Sequence, residues 1–366
     1  MKIALVGNSD LCIGGYRFEL IERLIAEGHS VFVVSPNGPL IRDLVEMGCT
    51  FYEVPVDRHG TNPFKDMKLI SKYKKVMREI SPDYAFTYTI KPNLYVALAC
   101  KRMKTVCIPN VTGLGTAVEN KGWKQVVTTT LYKMAFKHVK TIFFQNSENM
   151  QFFVDRGLYS EKHKLLPGSG VNLNKFSVSE YPSDDTVNFV FVSRLMKEKG
   201  IEQYLDATEY ITAKYPNAKF HICGFCEEEY KSRLDAITKN DKVIYHGMVK
   251  DMSGVLADMH CTVHPTFYPE GMSNVLLESL ACGRPIITTD RAGCREIVED
   301  GVNGYIVKQQ DSQDLIEKIE KFINLSNEER KNMGLAGRAK VEREFNREIV
   351  INAYLAEIGA KTNTGV

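Results

Sequence analysis

Two short stretches carry residue types suited to binding an anionic, hydroxyl-rich molecule. The first is Phe267-Tyr-Pro-Glu-Gly-Met-Ser-Asn-Val-Leu-Leu-Glu-Ser-Leu-Ala-Cys-Gly-Arg-Pro, which follows a strand pattern and opens a helix pattern. Glu270 and Glu278 stand with seven residues between them. Gly271 loosens the backbone at the turn, and Ser273 and Asn274 are good helix starters. The first N–H groups of a helix, at the positive end of its dipole, attract anions. An ionised carboxylate accepts several hydrogen bonds, so two of them beside such a site suit sugar hydroxyls. The second stretch is Val192-Ser-Arg-Leu-Met-Lys-Glu-Lys-Gly-Ile, again between a strand and a helix, with Arg194 and Lys199 five positions apart. A guanidinium and an ammonium there could clamp a diphosphate leaving group. Taken singly, the first stretch could be an ordinary capped helix and the second a solvated basic loop. Both fall at strand carboxyl ends in the same half of the chain, and that shared placement favours a nucleotide-diphosphate site.

The elements that must hold these residues are legible as alternation. Apolar runs at Lys2–Gly7, Ser30–Ser35, Tyr52–Pro55, Tyr84–Tyr88, Val106–Asn110 and Thr141–Gln145 are separated by helical patterns, Phe18–Glu27, Leu40–Met47 and Phe64–Ile80 among them. Such alternation predicts a parallel sheet with helices on both faces. The turn-rich stretch from Pro167 to Asp185 interrupts it. Strand patterns then resume at Asn188–Ser193, Lys219–Cys223, Val243–Gly247, Cys261–Pro265, Pro285–Thr289 and Tyr305–Val307, and Val341–Ile358 reads as one long helix. The predicted fold class is α/β, two Rossmann-like domains over 1–170 and 171–340 facing across a cleft, with the helix 341–358 returning toward the first. A chain of 366 residues is ample for two cores.

With those elements in place the sequence resembles a known family. Arg194…Lys199-Gly200, Glu270-x7-Glu278, Gly14-Gly15 after the first strand, Ala281-Cys-Gly-Arg-Pro-Ile-Ile and Arg295-Glu296…Gly301-Val-Asn-Gly resemble the retaining glycosyltransferases of the GT-B fold, family 4. Thr87-Tyr-Thr-Ile-Lys-Pro-Asn, Asn110-Val-Thr-Gly-Leu-Gly and Pro167-Gly-Ser-Gly-Val are similar to bacterial enzymes of surface-polysaccharide assembly, which extend a sugar carried on undecaprenyl diphosphate. The resemblance implies a UDP-sugar as donor substrate, with no cofactor and no metal. It implies that Arg194 and Lys199 hold the diphosphate and Glu278 the ribose hydroxyls. Glu270 with Gly271, Met272, Ser273 and Asn274 would hold the donor sugar and its distal phosphate. Gly15, at the first helix start of the other domain, would close over the phosphate. Many relatives carry a His after the fourth strand; here Thr89-Ile90-Lys91-Pro92 stands instead, so Lys91 is a candidate donor on the acceptor side. Thr112 joins it there, and Arg17 could meet the acceptor diphosphate.

Other signals carry less. Cys223 and Cys226 have redox-motif spacing, but no second pair stands at zinc spacing. His260 and His264 lie in a strand pattern and read as core or cleft residues. The segment from Gly7 to Gly15 lacks the dinucleotide fingerprint, and the chain has no Asp-x-Asp metal clamp. Nothing resembles a DNA-reading module, so nucleic acid is not an expected partner. Charge is split: residues 1–176 hold 24 Lys+Arg against 15 Asp+Glu, and residues 177–366 hold 23 against 30. Lys65, Lys68, Lys72 and Lys75 share one helical face, and Lys133, Lys137 and Lys140 another, near Tyr132 and Phe136. An anionic membrane surface is the expected partner, with Trp123 at the interface or packed. No apolar run reaches the roughly 18–20 residues of a membrane helix. With no export signal at MKIALVGNSD, the nine cysteines read as reduced thiols, hence a cytoplasmic, membrane-peripheral location. Two rival functions keep the architecture: a UDP-sugar epimerase without an acceptor, which the two-glutamate pattern disfavours, and an inactive partner subunit.

Overall fold

The computed structural model describes residues 1–57, 62–115 and 122–359. The side chain of Trp123 and the tail after Gly359 lie outside the described residues. The chain divides into two compact units, Met1–Ser169 with the segment from Val350, and Gly170–Ile349.

In the first unit the strands are β1 (Lys2–Val6), β2 (Ser30–Ser35), β3 (Thr50–Glu53), β4 (Tyr84–Tyr88), β5 (Val106–Val111), β6 (Ile142–Phe144) and β7 (His163–Leu165). They form one parallel sheet in the order β3-β2-β1-β4-β5-β6-β7. A parallel sheet is covered on both faces, so its strands are apolar at consecutive positions. In β1, Ile3 and Leu5 enter a core with Leu20, Ile21 and Leu24, while Ala4 and Val6 enter the opposite core with Tyr73, Met77 and Phe136. The second unit holds β8 (Val187–Val192), β9 (Ala218–Cys223), β10 (Val243–Gly247), β11 (Cys261–His264), β12 (Ile286–Thr289) and β13 (Gly304–Val307), parallel in the order β10-β9-β8-β11-β12-β13. Phe189 and Phe191 pack on Tyr204 and Leu205 on one face; Val190 and Ile286 pack on Leu276, Leu277 and Leu280 on the other.

Four local features depart from the sequence reading. β7 went unread because it offers only three residues, two of them polar. Gly15 does not start a helix: Leu11–Gly15 is a π-helical turn, and the helix Phe18–Ala26 begins after it. The long terminal helix is two, Asn327–Glu344 and Arg347–Gly359. Between them Asn346 bridges to Val171, and the main chain of Val171 bonds both Phe345 and Arg347. Gly170 has φ +67, and a Cβ there would lie 2.5 Å from the Arg347 Cα, so only glycine fits this crossing. Finally, Lys140 is no part of an exposed stripe. Its Nζ lies 3.3 Å from the buried Glu357 carboxylate and donates to the Glu357 carbonyl at 2.7 Å. Tyr132 and Phe136 are core residues.

The last helix completes the first unit. Val350, Ile351, Tyr354 and Ile358 lie in the core with Ile3, Leu5 and Phe86. The Tyr354 hydroxyl accepts a bond of 2.6 Å from Asn110 Nδ2, and Glu357 accepts from Thr141 at 2.9 Å.

Candidate functional site

In the second sheet the chain runs outward from β8 in one direction and from β11 in the other. The loops after these two neighbours diverge at the strand carboxyl ends, the place where open α/β sheets bind ligands. Both sequence motifs are those loops.

Main-chain geometry fastens them together. Gly200 has φ +78, and a Cβ there would lie 2.1 Å from the Pro265 carbonyl oxygen, so only glycine lets the first loop rest on the end of β11. The Glu198 carbonyl accepts from Phe267 N at 2.9 Å and from Thr266 Oγ1 at 3.2 Å. Lys199, in the turn Lys197–Lys199, is thereby brought to Glu270, with which it forms an ion pair. Its Nζ also lies 4.8 Å from the Tyr268 ring centre. The pair is shielded, its side chains 13% and 17% exposed, so it is less screened than a surface pair.

The helix Asn274–Ala281 begins beside them. Ser273 N donates to the Gly293 carbonyl at 2.8 Å, but no side chain caps the first turn. Gly271, Met272 and Ser273 are buried, and the buried Asn274 Oδ1 has no hydrogen-bond partner. Glu278 stands one turn further on; burial lifts its carboxyl to about 7, against the opposing pull of Arg347 and Lys175. Arg194 is apart from these: its side chain is 52% exposed, with Nη1 3.6 Å from Glu227. The structure therefore joins Lys199 with Glu270 beside the helix start and leaves Arg194 at the solvent edge.

Sequence reasoning gave no site role to three neighbours. Tyr268 lies inside the quoted motif, but nothing in its type marks it as a partner of Lys199. Glu227 follows the rejected Cys223/Cys226 pair. His264 ends β11, is 2% exposed, and neither ring nitrogen has a partner. Burial first and Lys199 second push it down to about 3, so it is neutral.

The first sheet has its own switch point, between β1 and β4. Gly15 is half-buried in the turn after β1. Arg17 is buried, its guanidinium 4.5 Å from the Tyr88 ring centre. Lys91, after β4, pairs with Asp66 at 2.8 Å. Thr112 follows β5, half-buried.

Two family models match the two halves of the chain: "Glycosyl transferase 4-like" over residues 2–146 and "Glycosyl transferases group 1" over residues 175–340. The chain belongs to the glycosyltransferases. Among relatives, the N,N'-diacetylbacillosaminyl-diphospho-undecaprenol α-1,3-N-acetylgalactosaminyltransferase of Campylobacter jejuni is 26% identical, the match covering 97% of each chain. The capsular polysaccharide biosynthesis glycosyltransferase CapM of Staphylococcus aureus is 27% identical over 90% of each. In fold, this glycosyltransferase is similar to Anabaena HepE, solved with UDP-glucose: TM-score 0.79, 20% identity, 98% of this chain and 99% of that one. A glycosyltransferase from Rickettsia africae gives a TM-score of 0.81 at 17% identity, covering 100% of this chain and 99% of that one. The fold is GT-B, two parallel-sheet α/β domains.

Proposed function

We propose that this glycosyltransferase moves one hexose or N-acetylhexosamine from a UDP-sugar to a hydroxyl of a saccharide carried on undecaprenyl diphosphate, in the assembly of a bacterial surface glycan, with retained anomeric configuration. The observation that carries the donor side is the Lys199–Glu270 pair at the switch point, beside a helix start with no side-chain cap. The acceptor class is supported by what the Campylobacter relative is named for, and the donor nucleotide by the UDP-glucose in HepE.

Each residue then has a task. Loss of UDP builds negative charge on the leaving oxygen. Lys199 and the main-chain N–H groups at the start of Asn274–Ala281 stabilise it, and Arg194 adds a cation from the solvent edge. In this reading Lys199 exchanges Glu270 for phosphate, freeing the Glu270 carboxylate to accept from sugar hydroxyls. A Glu278 carboxyl near 7 both donates and accepts at neutral pH, which suits ribose hydroxyls. Retention through a covalent intermediate needs a dedicated pair of carboxylates. Beyond Glu270 the site offers no second carboxylate for the sugar, Glu278 being assigned to the ribose, so attack is from the front face, the departing phosphate oxygen taking the acceptor proton. Side-chain cations fill the charge role a metal fills elsewhere. At the membrane, the exposed Lys65, Lys68, Lys72 and Lys75 stand with Phe64 and Met67, 78% and 67% exposed, on the helix Pro63–Ile80.

The test is a transfer assay read by mass spectrometry, with a panel of UDP-sugars in EDTA and undecaprenyl-diphosphate mono- and oligosaccharides. A gain of one sugar on one lipid supports the reading, and Lys199→Ala should then lose at least a hundredfold in kcat/KM while melting cooperatively. A UDP-sugar turned into its epimer without an acceptor overturns it. Near-normal turnover by Lys199→Ala would sink the phosphate role of that residue.

A further inference from the structure

Among the described residues three arginines are nearly fully buried, and two of them are accounted for by the protein itself. Arg284, 1% exposed, donates from Nε to Leu256 O, from Nη1 to Ser179 O and Cys282 O, and from Nη2 to Ser179 Oγ, Glu180 O and Ala257 O. Arg330, 3% exposed, donates from Nε to Phe322 O, from Nη1 to Asp184 and from Nη2 to Ile323 O. Every guanidinium nitrogen of both has a partner.

Arg17 differs. It is 3% exposed; its side chain donates from Nη1 to the neighbouring Tyr16 carbonyl at 2.8 Å and has the Tyr88 side chain as its other close polar neighbour. Its buried Nε has no partner. Among the described residues no carboxylate pairs with it, and its guanidinium carbon lies 4.5 Å from the Tyr88 ring centre. A guanidinium has five N–H donors in a planar fork matched to two oxygens of a phosphate or carboxylate. Leaving a buried cation without a counter-charge is costly, and a chain that needed only packing there would be more stable with an apolar side chain. Arg17 follows the π-turn Leu11–Gly15, and Tyr88 ends β4; these are the two segments that flank the switch point of the first sheet.

The geometry points to Arg17 as an oxyanion-binding residue of the first unit, whose counter-charge is a phosphate group of a substrate. This deepens the glycosyltransferase reading and rests on it for the source of the phosphate. Two diphosphates qualify, that of the nucleotide donor and that of the lipid-linked acceptor.

The test compares wild type with Arg17→Met by melting temperature, alone and with inorganic diphosphate, UDP or farnesyl diphosphate. The expected result is that Arg17→Met, without ligand, melts no lower than wild type, because an unpaired buried charge is gone. It should also lose the stabilisation by inorganic diphosphate and by one of the other two ligands. Loss of the farnesyl diphosphate response assigns the acceptor, and loss of the UDP response assigns the donor. A lowered melting temperature with all ligand responses intact makes Arg17 a packing residue and overturns the proposal. Should Arg17→Met not fold, the 15Nε–Hε signal of Arg17 in wild type, assigned with Arg17→Lys, decides: it shifts on titration with inorganic diphosphate or the proposal fails. Failure of the donor reading is separate. It would show as no UDP response in wild type, while the inorganic diphosphate response of Arg17 could still be read.

Discussion

If Glu278 holds the ribose as proposed, binding and stability pull against each other there. An acid whose folded pKa lies above its unfolded value binds its proton more tightly when folded. The stability linked to it is complete below the ordinary value of 4.5 and is lost as pH rises through about 7. Glu278→Gln removes that dependence. The ligand-free variant should therefore gain in melting temperature over wild type between pH 5 and pH 8, while its affinity for UDP falls about tenfold at pH 8 through loss of a charge-assisted bond. Parallel melting curves at the two pH values would show that Glu278 is not held protonated by burial. At this scale the sequence was informative about identity and not about company. The spacing of Glu270 and Glu278 and of Arg194 and Lys199 picked out residues at one end of one sheet. That Lys199 pairs with Glu270 while Arg194 turns to Glu227 depends on side-chain directions that no spacing encodes. His264 was read as core or cleft; what marks it is the absence of partners for both nitrogens, which is visible only in three dimensions.

Among elements, strands with consecutive apolar residues were legible to within a residue or two, because a doubly covered sheet leaves no polar alternative. Elements defined by long-range contact were not. β7 pairs with β6 through main-chain bonds that its His-Lys-Leu sequence does not advertise. The break after Glu344 arises because the main chain of Val171 takes over bonding at Phe345 and Arg347. Gly200 belongs with these features. Its spacing beside Lys199 was noticed, but its function is to let the loop after β8 lie against Pro265. Gly200→Ala forces both a left-handed backbone and a contact of 2.1 Å, so the loop must lift from β11. Left-handed backbone for a non-glycine residue costs on the order of 1–3 kcal/mol. We expect a melting temperature several degrees lower and UDP affinity reduced at least tenfold, measured by calorimetry. Unchanged UDP affinity would mean that the loop position does not set the position of Lys199.

For the molecule as a whole, the net charge of +2 hides the arrangement that matters, a basic first half and an acidic second. The helix Pro63–Ile80 concentrates that charge, with Lys65, Lys68, Lys72 and Lys75 exposed and two exposed apolar side chains, Phe64 and Met67, among them. No helix of the described residues is long and apolar enough to cross a membrane. A basic residue at an anionic bilayer contributes about 1 kcal/mol, so the four lysines together supply about 4 kcal/mol, close to a thousandfold in affinity. Lys140, which the sequence grouped with a second stripe, adds nothing because Glu357 holds it. Replacing the four lysines by glutamine should therefore abolish cosedimentation with vesicles rich in anionic lipid at physiological salt. High salt should do the same to wild type, since the interaction decays within a Debye length of about 8 Å. Phe64→Ser should instead weaken binding by a salt-independent factor of about ten, the share due to one apolar side chain. If the four-glutamine variant cosediments as well as wild type, this helix does not face the membrane.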